Sequence, residues 1–196
     1  EIRGAGELLG EEQSGTIDEI GFSLYSEYLR RAIRDLAGPS LATRIPIDQT
    51  SSNRAEVQLN LPALFPDSYL PDVHVRLVLY KRITGARCAD ELHELQLEAI
   101  DRFGLLPEAA KSLFRIRNLQ LASESLGLRR FTLDRNGGKM EFDRAPTVDP
   151  DVVLEMMNSQ PNVFRMMDGH VIQIRASLQD HQVRLRFAED TLAQLS

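Results

Sequence analysis

The stretch LRRFTLDRNGGKMEF, residues 128–142, is the one whose reading decides the fold class. Residues 128–133 and 140–142 form two strand-like runs, and Asn136-Gly137-Gly138 between them offers the residues that a hairpin turn selects. A second hairpin is predicted where residues 163–167 and 170–174 flank Asp168-Gly169. Between the two, Asp149-Pro150 opens a helix carrying Val153, Met156 and Met157, and the chain closes on a helix ending near Leu195. Hairpins and helices alternate without a repeated strand-helix-strand unit, so the pattern predicts an α+β fold and not a doubly wound parallel sheet.

Upstream of the first hairpin the helical signal dominates. Within residues 90–103, Leu92, Leu95, Ala99, Ile100 and Phe103 form one apolar stripe, and Glu91, Glu94, Glu98 and Asp101 fall opposite it. Gly104 stops this helix, and Pro107 begins another that runs through Leu113, Phe114 and Ile116 to about Ser125, with Gly127 just beyond. Asp72 suits the cap of a helix bearing Val73, Leu77 and Tyr80, although residues 75–79 would also suit a strand. Residues 56–61 alternate, with Val57, Leu59 and Leu61 on one face, and Pro62 ends that strand. Residues 39–55 lack periodicity and read as a linker. Before them, Phe22, Tyr25, Leu29, Ala32, Ile33 and Leu36 predict an amphipathic helix within residues 16–38, closed by Gly38 and Pro39. Gly4, Gly6, Gly10 and Gly15 make the first fifteen residues a loop. The expected architecture is one compact domain of helices interleaved with short antiparallel hairpins over residues 56–196, preceded by an N-terminal helical arm.

Composition narrows the function classes. The 196 residues carry 23 Lys and Arg against 29 Asp and Glu, a net charge of −6, which argues against a uniformly basic nucleic-acid binder. The single cysteine, Cys88, excludes a disulfide framework and a cysteine-rich zinc site, and it reads as a buried or incidental thiol. No apolar run approaches the roughly 20 residues of a membrane span and no leader opens the chain, so a soluble cytoplasmic protein without a membrane partner is expected. The start at Glu1 instead of methionine suggests processing or a piece of a larger chain.

Catalytic constellations are missing from the sequence. Gly137-Gly138-Lys139 lacks both the earlier glycine and the following hydroxyl of a phosphate loop. His74, His93, His170 and His181 are scattered without metal-ligand spacing, so no metal site is expected, and no serine elbow exists. Glu11-Glu12 and the pair Glu98 and Asp101 read as solvated charge. The chain is therefore expected to be non-catalytic and to hold no cofactor. What remains is charge segregation: acids cluster on the helix at 90–103, whereas Lys111, Arg115, Arg117, Arg129, Arg130 and Arg135 follow. Opposed patches suit docking to a protein partner or another domain.

The opening string EIRGAGELLGEEQSG, residues 1–15, resembles the end of the translocation motif shared by RecG-type helicases and the bacterial transcription-repair coupling factors. Further strings are similar to the C-terminal region of the coupling factors and not to RecG: IGFSLY at 20–25, LFPDSYLPD at 64–72, LYKRI at 79–83 and IDRFGLLP at 100–107. The resemblance implies a DNA translocase that uses ATP and Mg, binds stalled RNA polymerase and recruits UvrA. It further implies that the C-terminal domain packs on an N-terminal UvrB-like module and masks its UvrA-binding surface until polymerase is engaged. By the same resemblance, residues 1–15 end the translocation motif, with Arg3 and Gln13 coupling motor motion to DNA and Gly4, Gly6, Gly10 and Gly15 shaping the loop. Residues 16–38 become a connecting hook helix, and Glu94, Glu98, Asp101 and Arg102 fall on the interdomain face. The alternative is an accessory domain of the same motor that binds duplex DNA directly through Arg115, Arg117, Arg129 and Arg130.

Overall fold

The structure, a computed structural model, describes residues 54–196. The translocation-motif residues Arg3, Gly4, Gly6, Gly10, Gln13 and Gly15, the hook helix and most of the linker lie outside the described residues. Ten elements follow in the order β1 (Glu56–Gln58), α1 (Val73–Gly85), α2 (Ala89–Phe103), α3 (Glu108–Ser125), β2 (Leu128–Asp134), β3 (Gly137–Phe142), α4 (Pro150–Ser159), β4 (Phe164–Asp168), β5 (Val171–Arg175) and α5 (His181–Gln194). This is the α+β arrangement expected, and the ambiguous segment after Asp72 is a helix. The Asp72 carboxylate decides it, accepting the N–H groups of His74 at 2.8 Å and Val75 at 3.1 Å, two donors that a helix start otherwise leaves unsatisfied.

The two hairpins join in one five-stranded sheet of order β1-β2-β3-β5-β4. All pairings are antiparallel except β1 with β2, which run parallel through Glu56↔Arg130, Val57↔Phe131 and Gln58↔Thr132. Two local expectations change. The strand expected over residues 56–61 ends at Gln58, because Asn60 takes φ +49° and breaks the ladder, although Leu59 and Leu61 stay buried. In the first hairpin Gly137 and Gly138 belong to β3, and the reversal is made by Arg135 and Asn136. Both glycines are required there: a Cβ on Gly137 would strike the Ile174 carbonyl, and one on Gly138 the Thr132 carbonyl.

α3 is the hub of the packing. It lies against β1, β2, α1, α2 and α5, and it buries Leu113, Phe114, Ile116 and Leu119 among others. The sheet contributes Phe131, Leu133, Met140, Ile172 and Ile174 to the same core. Each such side chain contributes on the order of 1.5–3 kcal/mol when removed from water. α1 and α2 pack on each other and on α3, so the acidic side of α2 is left on the domain's outer surface.

Candidate functional site

α2 carries the four residues expected to face another domain, and it is held at both ends. Cys88 begins the helix without a side-chain cap; instead the Glu91 carboxylate accepts the Arg87 N–H at 2.8 Å, placing negative charge where the helix dipole favours it. At the other end Gly104 adopts φ +86° and its N–H reaches the Ile100 carbonyl at 2.9 Å. The Tyr69 hydroxyl donates to the Gly104 carbonyl at 2.9 Å, and burial raises its pKa, which keeps the proton in place. Leu92, Leu95 and Ala99 are buried as the stripe predicts, while Asp90, His93, Glu94, Leu97 and Asp101 face solvent.

Glu98 stands apart from the other acids. Arg82 of α1 forks onto it, Nη1 donating to Oε1 at 2.7 Å and Nη2 to Oε2 at 2.6 Å, and Arg102 Nη1 donates to Oε1 at 2.9 Å. Paired charge-assisted bonds of this kind fix geometry as well as charge. The bond from Arg82, and after it the bond from Arg102, pull the Glu98 carboxyl down to about 2. The same Glu98 contact raises the pKa of Arg82. The Arg102 guanidinium also lies 4.9 Å from the centre of the Phe103 ring, a cation–π placement.

The structure therefore divides the predicted interface residues. Glu98 and Arg102 share an internal cluster with Arg82, two cations around one anion. Glu94 and Asp101 are exposed and make no hydrogen bond or ion pair among the described residues. Of the four predicted interface residues, Glu94 and Asp101 thus carry the carboxylates without a cation partner among the described residues, and Glu94 lines an open groove between α1 and α2 together with Arg82, Glu91, Leu95 and Glu98.

The basic residues of the following segment do not form a free patch. Arg115 forks onto Glu189 at 2.7 and 2.6 Å, and Arg130 donates to Glu56 at 2.8 Å. Arg117 is buried and donates to the Ala86 carbonyl at 2.7 Å, and that burial lowers its pKa. Lys111 pairs with Glu108 at 2.6 Å, whereas Arg129 and Arg135 are exposed. Cys88 is exposed and not buried. Among the described residues no group of three or more His, Cys, Asp or Glu side chains is placed to hold a metal ion. No described helix is long and apolar enough to cross a membrane.

Two residues with decisive contacts carry no role in the sequence reading. Arg82 lies in the string at 79–83, but its partner is 16 residues away on another helix. Arg184 is 1% exposed on α5 and donates to the carbonyls of Leu59 at 2.8 Å, Asn60 at 2.6 Å and Leu178 at 2.9 Å. A basic residue amid Leu185, Ala188 and Leu192 on the inner face of a helix is the signal that could have found it.

Residues 59–153 match the TRCF domain. A crystal structure of the C-terminal domain of a transcription-repair coupling factor has the same fold, with a TM-score of 0.56 at 20% identity over 73% of this chain and 94% of that one. The domain is thus of the TRCF class. The chain is 44% identical over 195 residues to the transcription-repair-coupling factor of Haemophilus influenzae, matching 98% of this chain and 16% of that protein. It is 39% identical over 196 residues to the factor of Escherichia coli K12, matching 100% of this chain and 17% of that protein. The chain belongs to the transcription-repair coupling factor family, and it spans a small part of the length of these relatives.

Proposed function

We propose that this chain is a non-catalytic regulatory and interaction domain of an ATP-dependent DNA translocase that acts in transcription-coupled nucleotide excision repair. In this reading it packs on the parent's N-terminal UvrB-like module and masks the UvrA-binding surface until the parent engages stalled RNA polymerase. ATP, Mg and duplex DNA are then the business of the parent's motor, in the bacterial cytoplasm. The observation that carries the reading is the pair Glu94 and Asp101, two carboxylates with no ion pair among the described residues, on one face of a helix clamped at both ends. Leu97, 52% exposed, lies between them at helical spacing. An apolar centre flanked by charge suits a contact between domains that must come apart.

Release sets an upper limit on how tight such a contact can be. Driving a two-state equilibrium from 1:99 to 99:1 takes about 5.5 kcal/mol, so a mask built of solvated pairs is within reach of polymerase binding, whereas a continuous apolar interface is not. The accessory DNA-binding alternative draws little support, since Arg115, Arg117 and Arg130 are engaged inside the domain. The test is to reverse both free carboxylates, Glu94→Lys with Asp101→Lys, and to titrate the chain against the separately expressed N-terminal module. Binding is expected to weaken roughly tenfold or more. Affinity equal to that of the unaltered chain overturns the reading.

A further inference from the structure

We infer that Arg82 is an internal competitor for the docking face of α2: by forking onto Glu98 it withholds that carboxylate from a cationic partner surface and so sets how readily the domain lets its partner go. The inference rests on reading α2 as a docking face.

The geometry separates Glu98 from its neighbours. A carboxylate has about four lone-pair sites, and three are occupied, two by Arg82 and one by Arg102. The Glu98 side chain is still 33% exposed, so a partner can reach it. What the partner meets is a cluster of two guanidinium groups and one carboxylate, net positive, on a face where Glu94 and Asp101 make no ion pair among the described residues. Arg82 does not depend on a partner to hold this position. It projects from the last turn of α1, a helix capped by Asp72 and anchored through buried Leu79, Tyr80 and Ile83. Arg102, by contrast, projects from α2 itself, 50% exposed, and makes one bond to Glu98. For a partner guanidinium to fork onto Glu98, the Arg82 fork has to open. Each docking event therefore exchanges an internal ion pair for an external one, which lowers affinity without changing the shape of the surface.

Removing Arg82 has a distinctive sign. Loss of an interface cation normally weakens binding or leaves it unchanged. Here Arg82→Gln frees two acceptor sites and makes the cluster neutral, so affinity for a cationic surface is expected to rise about two- to fivefold. Arg82→Lys, which keeps the charge but cannot fork, is expected to fall between the two.

The experiment has four readouts on this chain. The Glu98 side-chain carboxyl is first titrated by carbon-detected NMR without any partner. It is expected to titrate well below the ordinary glutamate range in the unaltered chain and to move back toward that range in Arg82→Gln; a normal titration in the unaltered chain overturns the inference. Affinity for the separately expressed N-terminal module is then measured by calorimetry, with tighter binding by Arg82→Gln expected and equal or weaker binding overturning the inference. Should the module bind neither form, the masking reading fails by itself. In that event a tetra-arginine peptide titrated onto the Glu98 signal judges Arg82 alone: tighter association with Arg82→Gln upholds the competition, and equal association ends it. A cooperative melt of Arg82→Gln, lowered no further than that of Glu98→Gln, separates these effects from loss of fold.

Discussion

Arg184 makes four hydrogen bonds and Arg82 two, in opposite surroundings. Arg184 is 1% exposed and donates to three backbone carbonyls, with no carboxylate among its bonding partners. Arg82 has a side chain 42% exposed and is forked onto a carboxylate. Burial, and after it the charge of Arg135, lowers the pKa of Arg184, whereas the bond to Glu98 raises that of Arg82. The difference teaches that a bond's worth follows the solvent around it. The buried Leu59 and Leu178 carbonyls have no substitute partner when Arg184 is lost, while water competes for both ends of the Arg82 pair at all times. One arginine holds the fold, and the other is free to serve a reversible contact.

Replacing Arg184 is the strongest way to break this contrast. Arg184→Met keeps the bulk but orphans the buried Leu59 and Leu178 carbonyls, and it should cost about 3 kcal/mol or more of unfolding free energy in urea. A cost below that of an ordinary surface change would make the two arginines equivalent. A smaller effect is expected at Asn60, whose φ of +49° lets its carbonyl face Arg184. Asn60→Ala should destabilise by about 1 kcal/mol, because it keeps a Cβ that the left-handed region opposes and loses the short polar side chain with which Asn tolerates it, whereas Asn60→Gly should be close to neutral. The same urea series reads both. The smallest effect is expected at Glu98. Its folded pKa of about 2 lies below its unfolded value, so its contribution is present above the ordinary glutamate range and is lost as pH falls toward 2. Thermal melts of Glu98→Gln should match the unaltered chain less well at neutral pH than near pH 2, where the two converge.

Local features of this fold were legible in the sequence, and long-range ones were not. The stripe Leu92, Leu95 and Ala99 and the caps at Asp72 and Asp149 write themselves into spacing and residue type, since their partners lie within a few residues. The parallel pairing of β1 with β2 joins residues 74 apart, Glu56 and Arg130, and leaves no periodic trace. The candidate site shows the same division. Glu94, Glu98 and Asp101 were visible as one acidic face of a helix, but the neutralisation of Glu98 needed Arg82 from another helix. The basic patch failed for that reason too: Arg115 meets Glu189 across 74 residues.

The bond between Arg184 and the Leu59 carbonyl spans 125 residues of chain, and that has a consequence in time as well as in energy. A ribosome adding roughly 5–20 residues each second exposes the segment around Leu59 many seconds before α5 emerges. Through that interval the Leu59 carbonyl waits for its Arg184 donor, although β1 can already pair with β2. Among the described elements, the last one made reaches back to seal the end of the first.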